Sequence, residues 1–199
     1  MSELTIHGFE TSNNFKVRVA LGFKGIPYRF RSIDPKDRSE ILRLSKQHLT
    51  PVLEHGAVVV FDSAAILRYL DANFEGPTLF GRSHAEQWEI EDWEFFARTV
   101  LAGPMMEVVH KRLAGTPLDA EGIARCTQSF DDACAQLSVA LGGREWLVGD
   151  QISAADVTAA PVLRRIQASN LIPWPASAGP LQGWIERVMA YDGLSRLAD

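Results

Sequence analysis

Three short stretches hold residue types that could do chemistry together. In FETSNNFKVRVAL, residues 9–21, the polar cluster Thr11, Ser12, Asn13 and Asn14 separates a short apolar strand pattern from an apolar, basic helical one. Hydroxyl and amide groups at such a turn can cap the helix or donate to an anion at its positive end. In LTPVLEHG, residues 49–56, Pro51 directly precedes a strand pattern. Proline cannot donate to a ladder, so it marks an edge or a special turn. A cis Thr50–Pro51 bond would turn the Val52 peptide outward, with N–H and C=O open to a ligand backbone; a plain turn is the alternative. In FDSAAILRYL, residues 61–70, Asp62 and Ser63 stand where a strand hands over to a helix. That position suits a ligand carrying both carboxylate and ammonium, and Ser63 could equally serve as the helix cap.

Other catalytic constellations are missing. The five histidines (His7, His48, His55, His84, His110) show no HxxH or HExxH spacing, so no zinc site and no metal cofactor is expected. There is no nucleophile elbow, dinucleotide fingerprint or Walker loop. The acidic run Glu86, Glu89, Glu91, Asp92 and Glu94 opens a helix, where carboxylates complement the dipole. Ser153 and Asp156 have capping-box spacing, which is folding chemistry rather than catalysis. Cys126 and Cys134 share one helical pattern and would lie ~12 Å apart along it, too far for a disulfide.

These residues must be positioned by a scaffold, and the composition bounds it. The chain has 199 residues, 46% hydrophobic and 23% charged, an ordinary globular balance. A chain of this length buries roughly 70% of its unfolded surface and needs no metal or disulfide staple. The net charge of −5 argues against a nucleic-acid partner, whose phosphates demand a basic face. Apolar runs such as AVVVF at 57–61 fall far short of the ~18 residues of a spanning helix, so no membrane association is expected. MSELTI enters a strand without the basic and apolar regions of a signal peptide, and the expected location is cytoplasmic.

The first 75 or so residues alternate strand and helix signals in the order βαβαββα. LTIHGF is a strand, and NFKVRVALGFKG a helix stopped by Gly25. YRFRSI alternates as a strand, DPKDRSEILRLSKQ is a charged helix, and VLEHGAVVVF is a hairpin turning at Glu54–His55–Gly56. SAAILRYLDANF puts Ile66, Leu67, Leu70 and Phe74 on one helical face. GPTLFGRS has linker composition. From about residue 86 onward every pattern is helical, with a kink expected at Pro104. The fold expected is a small sheet with helices on it, followed by helices alone.

Taken together, TSNNFKVRVAL, LTPVLEHG, FDSAAILRYL and REWLVGDQISAADV resemble the cytosolic glutathione transferase family, in its order and spacing. They are similar to its thiol-activating turn, cis-proline loop, γ-glutamyl-binding turn and buried N-capping box. The resemblance spans nearly the whole chain, and its last two segments are the most specific. It implies an α/β thioredoxin-like domain at 1–76, a linker at 77–86, an all-α domain at 87–199, and a homodimer. Glutathione would be the co-substrate, a small hydrophobic electrophile the second substrate, and detoxification the role.

By the same resemblance, Thr11, counted back from Val17, falls where serine-type members keep the hydroxyl that bonds the glutathione sulfur. Ser12 is its neighbour, and Asn13 matches an asparagine of some bacterial members, a TxN pattern similar to the nu class. Val52, after Pro51, takes the backbone-pairing position, and Asp62 and Ser63 hold the γ-glutamyl group. Leu49 stands where many members have a Gln or Lys for the glycyl carboxylate, which leaves His48 for that end. Phe96, Met105 and Met106 are the implied electrophile-pocket residues. The turn lacks the SSC signature of the zeta class, which speaks against maleylacetoacetate isomerase activity. It also lacks the cysteine of the omega and beta types.

A turn without a thiol fits a ligand that brings one. A cysteine-type thiol has a reference pKa near 8.5, and its thiolate is the nucleophile. A hydroxyl donor and a helix N-terminus need lower that pKa by only about two units, or ~2.7 kcal/mol. Three functions follow: glutathione addition to an electrophile, glutathione-dependent disulfide or peroxide reduction (favoured by Thr–x–Asn), and a non-catalytic binding module.

Overall fold

The computed structural model describes residues 3–198, and the chain divides into two compact units. Residues up to Phe80, together with Val188 onward, form the first; Gly81–Arg187 form the second.

The first unit runs β1 (Leu4–Gly8), α1 (Ser12–Lys24), β2 (Arg29–Ser32), α2 (Ser39–Ser45), β3 (Val52–His55), β4 (Val58–Phe61) and α3 (Ser63–Asn73). Its described strands form one sheet in the order β2-β1-β3-β4. β1 pairs parallel with β2, and β3 pairs antiparallel with both β1 and β4. The parallel pair requires a crossover, and α1 supplies it. Central β1 buries Leu4, Ile6, His7 and Gly8, while α1 buries Val17, Val19, Ala20 and Leu21 and α3 buries Ile66, Leu67 and Leu70. Gly25 ends α1 at φ 64°, a left-handed conformation that costs glycine no Cβ clash.

The chain returns to this unit after α8 (Gln182–Met189). Leu197 N–H donates to the Tyr28 carbonyl at 2.8 Å and Tyr28 N–H to the Ser195 carbonyl at 3.2 Å. The expectation of helix alone beyond residue 86 is corrected here, because Arg196 makes an isolated parallel bridge with Tyr28. Backbone groups beside the edge strand β2 need partners, and this segment provides them. The fit is close: a Cβ on Gly22 would lie 1.9 Å from the Tyr191 carbonyl oxygen.

The second unit holds α4 (His84–Phe96), a π-helical turn (Ala97–Leu101), α5 (Gly103–Leu113), α6 (Ala120–Leu141), α7 (Ala154–Ser169), a 3₁₀ turn (Ala176–Leu181) and most of α8. A full capping box of Ser83 and Glu86 starts α4. Pro104 falls in the first turn of α5, directly after the π-helical turn, where its missing N–H costs nothing. Cys126 and Cys134 are free, buried thiols on α6. At the start of α7, Asp156 Oδ2 accepts from Ser153 N–H at 2.9 Å and Ser153 Oγ at 2.8 Å. Its Oδ1 accepts from Leu147 N–H and the Trp184 indole, both at 2.9 Å. Among the described residues no helix is long and apolar enough to cross a membrane.

Candidate functional site

Three connections of the first unit meet at one end of the sheet: the β1–α1 turn, the loop before β3, and the β4–α3 turn. Thr11 is the N-cap of α1, with extended φ −132° and ψ 161°. Its Oγ1 accepts from the Asn14 N–H at 3.3 Å and from the Asn14 carboxamide Nδ2 at 2.7 Å. A hydroxyl oxygen has two acceptor lone pairs, so both are engaged and the O–H is left as a donor. The same Nδ2 donates to Thr50 Oγ1 at 3.0 Å, which ties α1 to the loop before β3. The first turn of α1 carries no acidic residue, so its partial positive charge is uncompensated there. Ser12 is the first helical residue rather than the cap.

The cap of α3 is Asp62, whose Oδ1 accepts from Ala64 N–H at 2.9 Å and Ala65 N–H at 3.2 Å. The reading of Ser63 as the cap is therefore replaced. Buried Ser63 instead donates its hydroxyl to Asn13 Oδ1 at 3.3 Å, which links the α3 start to the α1 start. Asp62 sits at φ 68°, a strained conformation for a non-glycine residue and a common mark of functional turns.

The Thr50–Pro51 peptide bond is cis. The open peptide expected at Val52 needs correction. Val52 is fully buried in β3, with His7 opposite it on β1 and Phe61 opposite it on β4. A residue between two antiparallel neighbours points its N–H and C=O at one of them, so Val52 faces the ladder. Thr50, two residues earlier and outside the strand, is the residue of this loop that joins the polar cluster.

The loop carrying His48 and Leu49 is organised by local bonds. The Gln47 carboxamide donates to Ser45 Oγ at 2.7 Å and to the Leu49 carbonyl at 3.0 Å, and Arg38 donates to the His48 carbonyl at 2.9 Å. Leu49 is 73% exposed. His48, Pro35, Lys36, Arg38 and Ser39 line an open depression of about 380 Å³ with a basic rim. Phe96, Met105 and Met106 belong to the second unit. Phe96 and Met105 are core residues there, and Met106 is 39% exposed. Among the described residues no group of three or more His, Cys, Asp or Glu side chains could hold a metal ion.

Two family models match the chain: Glutathione S-transferase, N-terminal domain, over residues 6–78, and Glutathione S-transferase, C-terminal domain, over residues 120–187. The chain belongs to the glutathione S-transferase family. Glutathione S-transferase F10 of Arabidopsis thaliana is 26% identical over 168 residues, 79% of this chain and 78% of that one. A Stringent starvation protein A homolog of Haemophilus ducreyi is 26% identical over 190 residues, 91% of this chain and 82% of that one. A crystal structure of a glutathione S-transferase from Methylobacillus flagellatus with GSH bound has the same fold, with a TM-score of 0.82, 18% identity, and coverage of 98% of this chain and 100% of that one.

For a glutathione S-transferase, the residue that sequence reasoning passed over is Asn14. An asparagine in the first turn of a helix reads as one more polar capping residue. Its full burial and its bonds to Thr11 and Thr50 depend on Gly8, whose missing Cβ leaves the space that the Asn14 amide fills. A glycine ending a strand ahead of an Asn-rich turn was the available signal.

Proposed function

We propose that this chain binds glutathione in its first unit and activates the thiol for attack on a small hydrophobic electrophile. The observation that carries this reading is the Thr11 hydroxyl: two donors from Asn14 occupy its oxygen, and its proton is free to stabilise a thiolate at the α1 N-terminus. Asp62 Oδ2 is open to the ammonium of the γ-glutamyl group, and the Ser63 N–H, which the Asp62 side chain does not cap, suits its carboxylate. The Thr50 backbone takes the pairing role first assigned to Val52. Lys36, Arg38 and His48 suit the glycyl carboxylate where Leu49 cannot. Ser12 and Asn13 complete the sulfur surroundings, and Met106 has the exposure to meet an electrophile. A homodimer belongs to the same reading; Trp88 and Phe95 on α4, 72% and 59% exposed, supply apolar surface for it.

The test is calorimetric titration with glutathione, followed by thiolate absorbance against pH for the parent, Thr11→Val and Ser12→Ala. Thr11→Val is expected to raise the bound thiol pKa by about one unit and slow conjugation about threefold at neutral pH, with little loss of affinity. A shift in the serine variant alone transfers the role to Ser12. A second reading, a non-catalytic binding module, is favoured by the exposed Leu49, which offers the glycyl carboxylate no polar side chain. Glutathione binding without thiol ionisation, across a panel of electrophiles and a disulfide, would decide for it.

A further inference from the structure

We infer that Asn14 is a positioning residue for thiol activation: its carboxamide fixes the Thr11 hydroxyl as a donor and locks it to the Thr50 loop. This rests on the thiol-activating reading above. Asn14 is fully buried, and its NH2 group serves both hydroxyls, Thr11 at 2.7 Å and Thr50 at 3.0 Å. Its Oδ1 is buried without a hydrogen-bond partner and lies against Gly8, where a Cβ would fall 1.7 Å from it. Buried amide oxygens ordinarily find a donor. The reversed amide would place Oδ1 toward the two hydroxyls and turn the Thr11 proton inward, away from any ligand. The observed orientation does the opposite, because an NH2 group can only donate. The direction of one amide thus decides whether Thr11 gives or withholds its proton. The shared NH2 also makes the sulfur donor and the Thr50 backbone move together.

The decisive substitution is Asn14→Asp, which is nearly isosteric and changes a donor pair into an acceptor. It is expected to draw the Thr11 hydroxyl inward and raise the bound glutathione thiol pKa by about one unit, as Thr11→Val does. A new carboxylate could also raise that pKa through repulsion alone, and a double-mutant comparison separates the causes. In a Thr11→Val background, Asn14→Asp is expected to add little if it acts through the hydroxyl. A full additional shift would mean repulsion and would overturn the proposal. Asn14→Leu, neutral and of similar volume, serves where the aspartate variant does not fold. It is expected to titrate between the parent and Thr11→Val, and titration with the parent would overturn the proposal. If Thr11→Val shifts the thiol and neither Asn14 variant does, the positioning role falls while the function stands. If Thr11→Val shifts nothing, the positioning role falls; the function then stands only if Ser12→Ala shifts the thiol, and falls if neither does.

Discussion

The guanidinium of Arg18 meets the carboxylate of Asp192 through two hydrogen bonds, Nε to Oδ1 and Nη2 to Oδ2, each 2.7 Å long. Both side chains are largely shielded, at 12% and 18% exposure, whereas Glu10, the other partner of Arg18, is 64% exposed. The pair fastens α1, and with it Thr11 and Asn14, to a segment 174 residues away. Bidentate geometry in a shielded setting is the case in which an ion pair matters. Asp192→Ala should cost about 2–4 kcal/mol, since it leaves a mostly buried cation to the exposed carboxylate of Glu10. Glu10→Gln should cost under about 1 kcal/mol. Urea unfolding of the two variants checks the contrast.

A second contrast lies in the second unit. Ser153→Ala removes one hydroxyl from the start of α7 and should cost ~1 kcal/mol. Asp156→Ala should cost at least ~3 kcal/mol, because it leaves the Leu147 amide, the Ser153 amide and the Trp184 indole without their acceptor. Calorimetric melting of both variants gives the order, and equal losses would contradict it.

The two thiols should be inert in the native protein. Burial, reinforced by the nearby Asp131 charge, pushes the Cys134 thiol up to about 12. Burial also raises Cys126, with Glu107 adding to it. The thiolate is the reactive form, so at pH 8 only about one Cys134 in ten thousand is ionised. A disulfide reagent should modify both residues fast in denaturant and at least about a hundredfold slower without it. Rapid native labelling of either would refute this.

Acid sensitivity has a local source in Glu86. Its carboxylate accepts from the Arg82 and Ser83 N–H groups, at 2.7 and 3.0 Å, and these bonds hold its pKa below the ordinary 4.5. A folded-state pKa below the unfolded one adds stability that is present above pH 4.5 and fades as pH falls through the folded value. Glu86→Gln keeps an acceptor and removes the charge. Its melting temperature should fall less steeply with acid below pH 4.5 than the parent's, and parallel curves would count against the role.

What the sequence revealed was mainly local chemistry. The hydroxyl turn at Thr11, the Asp62–Ser63 step and the Ser153–Asp156 pair each concern residues within about one helical turn, where side chain and backbone meet whatever the rest of the chain does. Even so, the sequence did not show that Asp62 rather than Ser63 caps α3, because the choice turns on a backbone torsion of 68°. Val52 was misread because its enclosure depends on β1 and β4 arriving from opposite sides. Asn14 bridges 36 residues to Thr50, and Arg18 reaches Asp192 across 174. Such pairings are set by topology, and no periodicity announces them.

The return of residues from Val188 onward to the first unit bears on the order in which the molecule can assemble. A growing chain exposes the whole of Gly81–Arg187 before it can supply the groups that bond Tyr28 or the carboxylate that neutralises Arg18. The helical unit is contiguous and can close on its own. The unit with the Thr11 turn must wait, with its β2 side unprotected, until Ser195–Leu197 has been synthesised. Truncation at residue 80 would therefore yield an aggregation-prone fragment rather than an independent glutathione-binding module.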